Sequence, residues 1–511
     1  MILERGVVRT LETALPAASA LAIAGDRIAG GVGTHEDALP SPDRVDLGGR
    51  CVVPGFSDAH VHFPTWAVAR GEVRLEGVSS VEEAVARVRE GLGSVPEGGW
   101  LRGRGWRDAG WREQPSREAL DEVAGAVPVA LLAHDSHSIW LNSAALARAN
   151  GDLEVEGGVV ERDAAGEPTG ILREEACWIF RDRHVEITDE EYLDAMRDGL
   201  RLAAARGVTS VHDKDGWIGA LRFWQALAAE GALSLRVWQS LPADHVERLA
   251  ELGIRSGLGD GMLQVGYLKA FMDGTLGSQT ARMLDGTGVE ITSREALVEI
   301  LRQAAPAGWP VAVHAIGDLA NREALDAFEE TRAEWAPLGL RNRIEHAQLL
   351  APEDVGRFAD LGVAASVQFS HAPSDRDVAD RFWAAKTDGA YAYRSLWDSG
   401  AVVANGSDAP IEELDPLAGI RAGVLRTIDD RPAWHPEQTL TLEQAFEATC
   451  VTPAWLSYDE HRRGKLVPGY LADLVVLDRD PFELQPEELA DVHVVATMVG
   501  GRWTHNPPPW D

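Results

Sequence analysis

Two hydrophobic periods alternate along the middle of the chain. Apolar positions three and four residues apart predict amphipathic helices over Val81–Leu92, Glu190–Arg206, Ile218–Glu230, Arg294–Ala305, Asn321–Trp335, Pro352–Leu361 and Leu442–Thr449. Short apolar runs of strand length separate them, among them GVTSVHD, MLQVGYLKAF, WPVAVHAIG, NRIEHAQ, GVAASVQFS and AVVANGSDA. The expected strands are Val53–Phe56, Val129–Ala133, Ser210–His212, Val265–Phe271, Val311–His314, Arg343–His346, Ala364–Gln368 and Val402–Asn405. Repeated strand–helix alternation implies a parallel sheet, and eight such strands imply an α/β fold, a closed (β/α)8 TIM barrel.

The ends of the chain follow a different rule. Residues 19–33 (SALAIAGDRIAGGVG) alternate around a Gly-Asp-Arg turn and predict a hairpin, and Gly464–Val476 and Val494–Trp503 read the same way. A small β-sandwich domain built from both termini, 1–53 with 464–511, is therefore expected to flank a barrel over 54–463. The long stretch between the first two expected strands, with GGWLRGRGWRDAGWREQPSREALDEV, and the segment GGVVERDAAGEPTGILREEA after the second predict an insertion over about 66–190 beside the barrel mouth.

Composition narrows the function classes. A net charge of −33 disfavours nucleic acid and anionic membrane surfaces as partners. Glu4, Glu12, Asp26 and Arg27 interrupt the N-terminal Ala/Leu run, so a signal peptide is not expected, and no apolar run reaches the length of a membrane span. Cys51, Cys177 and Cys450 are isolated and suggest reduced thiols and a cytoplasmic location. The expected partner is a small-molecule substrate, and a homodimer is left open. No GxGxxG opens a helix after a first strand, which argues against a dinucleotide enzyme.

Polar residues fall at the ends of the expected strands, where barrels carry catalysis. Asp58-Ala59-His60-Val61-His62 places two imidazoles on one side of an extended chain, a chelate for a borderline cation or a pair of structural histidines. His314 ends VAVH, His346 ends RIEH, and Asp408 follows the last strand in Asn405-Gly406-Ser407-Asp408. Asp408 can ligate a cation and accept a proton, or cap a helix. Only four of the 48 Lys and Arg residues are lysines: Lys214, Lys269, Lys386 and Lys465. Lys269 lies within an apolar strand, where burial disfavours its charge. It either forms a salt bridge, for example with Asp273, or reacts as a neutral amine with CO₂ to give a carbamate.

HxH, Lys, His, His and Asp, in that order, resemble the amidohydrolase superfamily. The stretches PGFSDAHVHF (54–63), GVTSVHD (207–213), LKAFMDGTLGSQTA (268–281), VHAIGDLAN (313–321), RIEHAQL (343–349), SVQFSHAPSD (366–375) and NGSDAP (405–410) resemble its amidohydrolase-3, or YtcJ-like, branch, which includes N-substituted formamide deformylase-like hydrolases. PGYLADLVVLDRDPF resembles the segment that closes the family's small β-domain. The resemblance implies a metallo-dependent hydrolase acting on an amide, N-formyl or cyclic amide bond through water activated by one or two divalent ions, zinc being the expected metal. It implies that His60 and His62 bind the more buried ion, that a carbamate on Lys269 bridges, that His314 and His346 bind the second ion, and that Asp408 ligates and moves protons. Asp408 and His346 are thus the expected catalytic residues, and Trp106, His137, His212, Arg282, Asp318 and His371 are expected near the substrate. A lactone or ester hydrolase, an isomerase on the same barrel, and a non-catalytic metal-binding homologue are the competing readings.

Overall fold

The computed structural model describes residues 1–511 except 31, 34–40, 96–97, 108–110, 134–137, 150, 152, 156–157, 186, 278, 385 and 511. The chain divides into two compact units, Met1–Trp66 with Met196–Asp511, and Ala67–Ala195.

The first unit holds the barrel. Its eight parallel strands, in spatial and chain order, are Phe56–Val61, Val208–Asp213, Arg236–Pro242, Leu263–Phe271, Val311–Ala315, Arg343–His346, Ala364–Val367 and Val403–Asn405. Helices such as Arg294–Ala307, Asp318–Glu330, Pro352–Leu361 and Pro416–Leu425 connect or follow them. These helices pack Leu301, Phe328, Phe358 and Ile420 into one large apolar cluster with strand residues such as Leu268, Val313 and Ile344. Burial of that apolar area, at roughly 25 cal/mol per Å², is the main force holding the barrel together. Neighbouring registers keep the C-terminal strand ends level: Phe271 lies opposite His314, and Ala315 opposite His346.

Two expected strands need correction. Val129–Ala133 is not a barrel strand. It runs through the middle of a six-stranded mixed sheet in the second unit, between Leu101–Trp106 and Ser138–Leu141. The third barrel strand is Arg236–Pro242, whose buried Gln239 and Ser240 interrupt the apolar signal. The run expected over Val53–Phe56 is also split. Cys51–Pro54 pairs with the C-terminal strand Leu474–Leu477, and the barrel begins at Phe56.

The terminal segments join in one eight-stranded mixed sheet. Its order is Arg502–His505, Val494–Val499, Leu474–Leu477, Cys51–Pro54, Ile2–Arg9, Ala17–Ala24 and Arg27–Ile28, with Arg44–Asp46 beside Ile2–Arg9. Ala17–Ala24 and Arg27–Ile28 form the expected hairpin. Gly464–Val476 does not fold on itself; its strand pairs instead with Val494–Val499 and Cys51–Pro54. Among the described residues, no helix is long and apolar enough to cross a membrane.

Candidate metal centre

The seam between the last barrel strand and the first builds the site. Asp408 N–H donates to His60 O at 2.7 Å, and His62 N–H donates to Ala409 O at 2.9 Å. Asp58, buried below, accepts from His60 N–H and Ser407 N–H, both at 3.0 Å. Gly406 is needed for this approach, because a Cβ there would sit 2.4 Å from His60 N. Asp408 and His346 both adopt left-handed backbone, with φ of 56° and 73°. Non-glycine residues pay of order 1–3 kcal/mol for such conformations, which concentrate where geometry serves function.

These bonds gather the polar side chains. Ligand atoms of His60, His62 and Asp408 lie within 4.8 Å of one another, as do those of His346, His371 and Asp408. His314 stacks edge-on to His346 with ring centres 4.5 Å apart, and His60 lies 4.7 Å from His346. Each imidazole has an anchoring partner. His60 Nδ1 donates to Glu345 Oε2, His62 Nδ1 to Asp215 Oδ1 and His346 Nδ1 to Gln368 Oε1, each at 2.8 Å, and His314 Nε2 donates to Gly274 O at 3.0 Å. One nitrogen of each ring is therefore left for a cation, the arrangement by which outer partners fix a ligating tautomer. Burial depresses His60, His314 (to about 3) and His346, so these rings are neutral and able to ligate. Burial opposes the charge of His62 too, but the carboxylates of Asp215 and Asp408 lift it to about 10, and its proton stands where a cation would serve.

One contact tests the fit of a metal. With Nδ1 protonated toward Glu345, His60 Nε2 presents a lone pair, and it lies 3.1 Å from Asp408 Oδ1. Two lone-pair atoms at that distance repel unless a cation lies between them. Lys269 Nζ and His371 Nε2 are buried with no hydrogen-bond partner among the described residues. Burial brings the Lys269 amine down to about 8. The alternative salt bridge with Asp273 is not formed, since Asp273 accepts backbone N–H groups of Arg282, Ile316 and Gly317.

A charged layer beneath the imidazoles holds them. Glu345, fully buried, accepts from His60 and from Lys214 Nζ and forms an ion pair with Arg343, whose Nε lies 2.9 Å away. Burial alone would raise the Glu345 carboxyl, but Arg343, Lys214 and His60 hold it well below the usual carboxylate range. Arg343 Nη1 also donates to His212 Nδ1 at 2.9 Å. Glu345 escaped the sequence reading because it adjoins His346, and successive strand residues should point to opposite faces. The left-handed turn at His346 and Ala347 breaks that alternation. Lys214 and Asp215 had a legible signal: a rare lysine inside HDKD, directly after a barrel strand.

The other expected site residues are distributed as follows. His371 joins the cluster. His212 lies within the second barrel strand, fully buried. Arg282 pairs with Glu290 and Glu323. Asp318 opens a helix, accepts Leu284 N–H at 2.7 Å and pairs with Lys386 at 3.2 Å, tying down the loop after the fourth strand. Trp106 is in the core of the second unit, its indole donating to Leu131 O. His137 lies outside the described residues. Sequence reasoning missed Trp217, which is 48% exposed with its ring 5.2 Å from His62 and 5.7 Å from Phe271.

Known proteins bear directly on this geometry. Residues 43–505 match the model of the Amidohydrolase family. The Arabidopsis thaliana protein LONG AFTER FAR-RED 3 is 32% identical over 98% of this chain and 91% of its own length. The N-substituted formamide deformylase of Arthrobacter pascens is 28% identical over 97% of this chain and 96% of its own. The crystal structure of an uncharacterized metal-dependent hydrolase from Pyrococcus horikoshii OT3 superposes with a TM-score of 0.82 at 28% identity, covering 95% of this chain and 99% of that one. With the barrel, the histidine–aspartate clusters and a family match over nearly its whole length, this chain belongs to the Amidohydrolase family of metal-dependent hydrolases.

Proposed function

We propose that this protein hydrolyses the C–N bond of a small N-acyl or N-formyl amine. The observation that carries the reading is the facing pair of lone-pair atoms, His60 Nε2 and Asp408 Oδ1, among imidazoles already fixed for ligation. The deformylase activity in the name of the Arthrobacter pascens relative supports an amide substrate. His60, His62 and Asp408 would hold one divalent ion, and His314 and His346 a second, with Lys269 bridging as its carbamate. Nitrogen and carboxylate donors in this number favour zinc. A bound cation supplies an electrophile for the carbonyl oxygen and brings the pKa of water down towards about 7.

The remaining work falls to the chain's own groups. Asp408 accepts the proton of the attacking water and passes it to the departing nitrogen, so the amine leaves neutral and the acyl carbon keeps the water oxygen. Glu345, Asp215 and Gln368 keep the imidazole tautomers fixed. Trp217 and Phe271 offer an apolar wall beside His62 and His314, suited to an uncharged substituent.

The test is a panel of N-formyl and N-acyl amines with lactones as controls, given to zinc-loaded protein whose metal content is measured. Amine release that falls by 10² or more in kcat in Asp408→Asn, with an unchanged far-ultraviolet spectrum, is the expected result. Turnover of lactones alone, or an Asp408→Asn protein as fast as wild type, refutes the assignment.

A further inference from the structure

His371 is the first residue of the helix His371–Phe382, just past the seventh barrel strand. It is buried, its ring lies parallel to that of His346 with centres 6.2 Å apart, and its Nε2 is 3.7 Å from Asp408 Oδ2. None of the roles above uses it. Gln348 Nε2 lies 3.1 Å from His371 Nδ1. An amide nitrogen only donates, so Nδ1 must accept, and the ring hydrogen sits on Nε2. His346 is held the opposite way, since Gln368 presents its oxygen and draws the hydrogen to Nδ1. The two parallel rings therefore differ in chemistry: His346 offers a lone pair, and His371 offers an N–H that has no acceptor among the described residues. A buried donor left unmade is destabilising, and an arriving acceptor removes that penalty.

We propose that His371 donates Nε2–H to the substrate carbonyl oxygen and holds the negative charge that builds there as water adds to the carbon. The proposal rests on the hydrolytic reading above. As the water oxygen bonds to carbon, the carbonyl π pair moves onto that oxygen; when the nitrogen leaves, the pair returns. The Nε2–H stays on His371 throughout. The N-terminal end of the helix adds its positive dipole to the same charge. Gln348 is a positioning residue, because its amide sets the tautomer. A rotated Gln348 amide would instead hand His371 Nε2 a lone pair and make it a cation ligand, and this is the alternative the experiment must separate.

Three readouts decide, on His371→Ala and, should that protein fold poorly, on His371→Asn, whose amide keeps a donor. Plasma mass spectrometry of zinc-loaded protein reads the ligand alternative: unchanged zinc content is expected, and loss of an ion overturns the donor role. Calorimetry with methylphosphonate, a tetrahedral oxyanion, should show about tenfold weaker binding to His371→Ala and partial recovery in His371→Asn; equal binding overturns the proposal. On any amide the wild type cleaves, kcat should fall about 100-fold in His371→Ala with KM within about threefold. Gln348→Glu, which draws the hydrogen to Nδ1, should lose a similar factor with the ring in place, and wild-type kcat in that variant overturns the tautomer argument. A wild type that cleaves no amide would sink the hydrolytic reading, while the zinc and methylphosphonate measurements would still decide the role of His371.

Discussion

Replacing Glu345 with Gln tests whether the charged layer below the imidazoles supports the site. The substitution preserves shape and removes one charge. Glu345 is fully buried, accepts from His60 Nδ1 at 2.8 Å and from Lys214 Nζ, and pairs with Arg343, whose Nε lies 2.9 Å away. A glutamine has one acceptor oxygen and an NH₂ group, so at least one of those donors meets another donor. Each hydrogen bond to a charged group contributes about 1.5–3 kcal/mol. Removing one partner of a buried ion pair, here leaving Lys214 and Arg343 without their shared anion, costs about 3–5 kcal/mol. Against the 5–15 kcal/mol typical of a folded domain, that is a large fraction. The same change frees the His60 tautomer and should weaken zinc binding about 10- to 100-fold. Urea unfolding of the metal-free protein reads the first effect without metal linkage, and chelator competition reads the second. Pairing Glu345→Gln with Lys214→Met should recover part of the loss, because the charge left unmatched goes too. A metal-free Glu345→Gln protein within about 0.5 kcal/mol of wild type, with unaltered zinc affinity, would refute the reasoning.

Other predictions probe separate parts of the structure. Arg236 donates through Nε and Nη2 to both oxygens of Asp473 at 2.7 and 2.9 Å, tying the third barrel strand to the terminal sheet. Arg236→Ala should cost about 3–5 kcal/mol in urea unfolding, and a loss under about 1 kcal/mol would show the pair to be dispensable. Lys269→Arg keeps a cation but cannot form a carbamate; plasma mass spectrometry should show less zinc per chain, and full zinc content would rule out carbamate bridging. Trp217→Ala should raise KM about tenfold with kcat nearly unchanged, since the exposed ring contributes apolar contact rather than chemistry; a kcat effect alone would contradict that role.

The candidate site was legible where residue type and strand position coincide. His60, His62, His314, His346 and Asp408 all follow apolar runs, and Lys269 stood out in a chain that otherwise uses arginine. Glu345, Gln368 and Gln348 were not legible, because a polar residue in or just past a strand carries no sign of what it will meet across the barrel. Trp106 and His212, expected near the substrate, are held in packed surroundings. Trp106 packs with Trp111 and Trp140, and Arg343 clamps His212 inside the sheet.

By itself, the sequence determined the alternation of strand and helix, and with it a parallel barrel, because side-chain period is a local property of the backbone. It could not decide which sheet an apolar run joins. VALLA at 129–133 read as a barrel strand but joined another sheet, and RVWQSLP at 236–242, not read as a strand, took its place in the barrel, since pairing depends on partners distant along the chain. Only the tertiary structure decided that the barrel closes through the 2.7 Å bond from Asp408 to His60. That closure presses a carboxylate oxygen against an imidazole lone pair, and the resulting demand for a positive ion arises from distance, which no reading of residues in order contains.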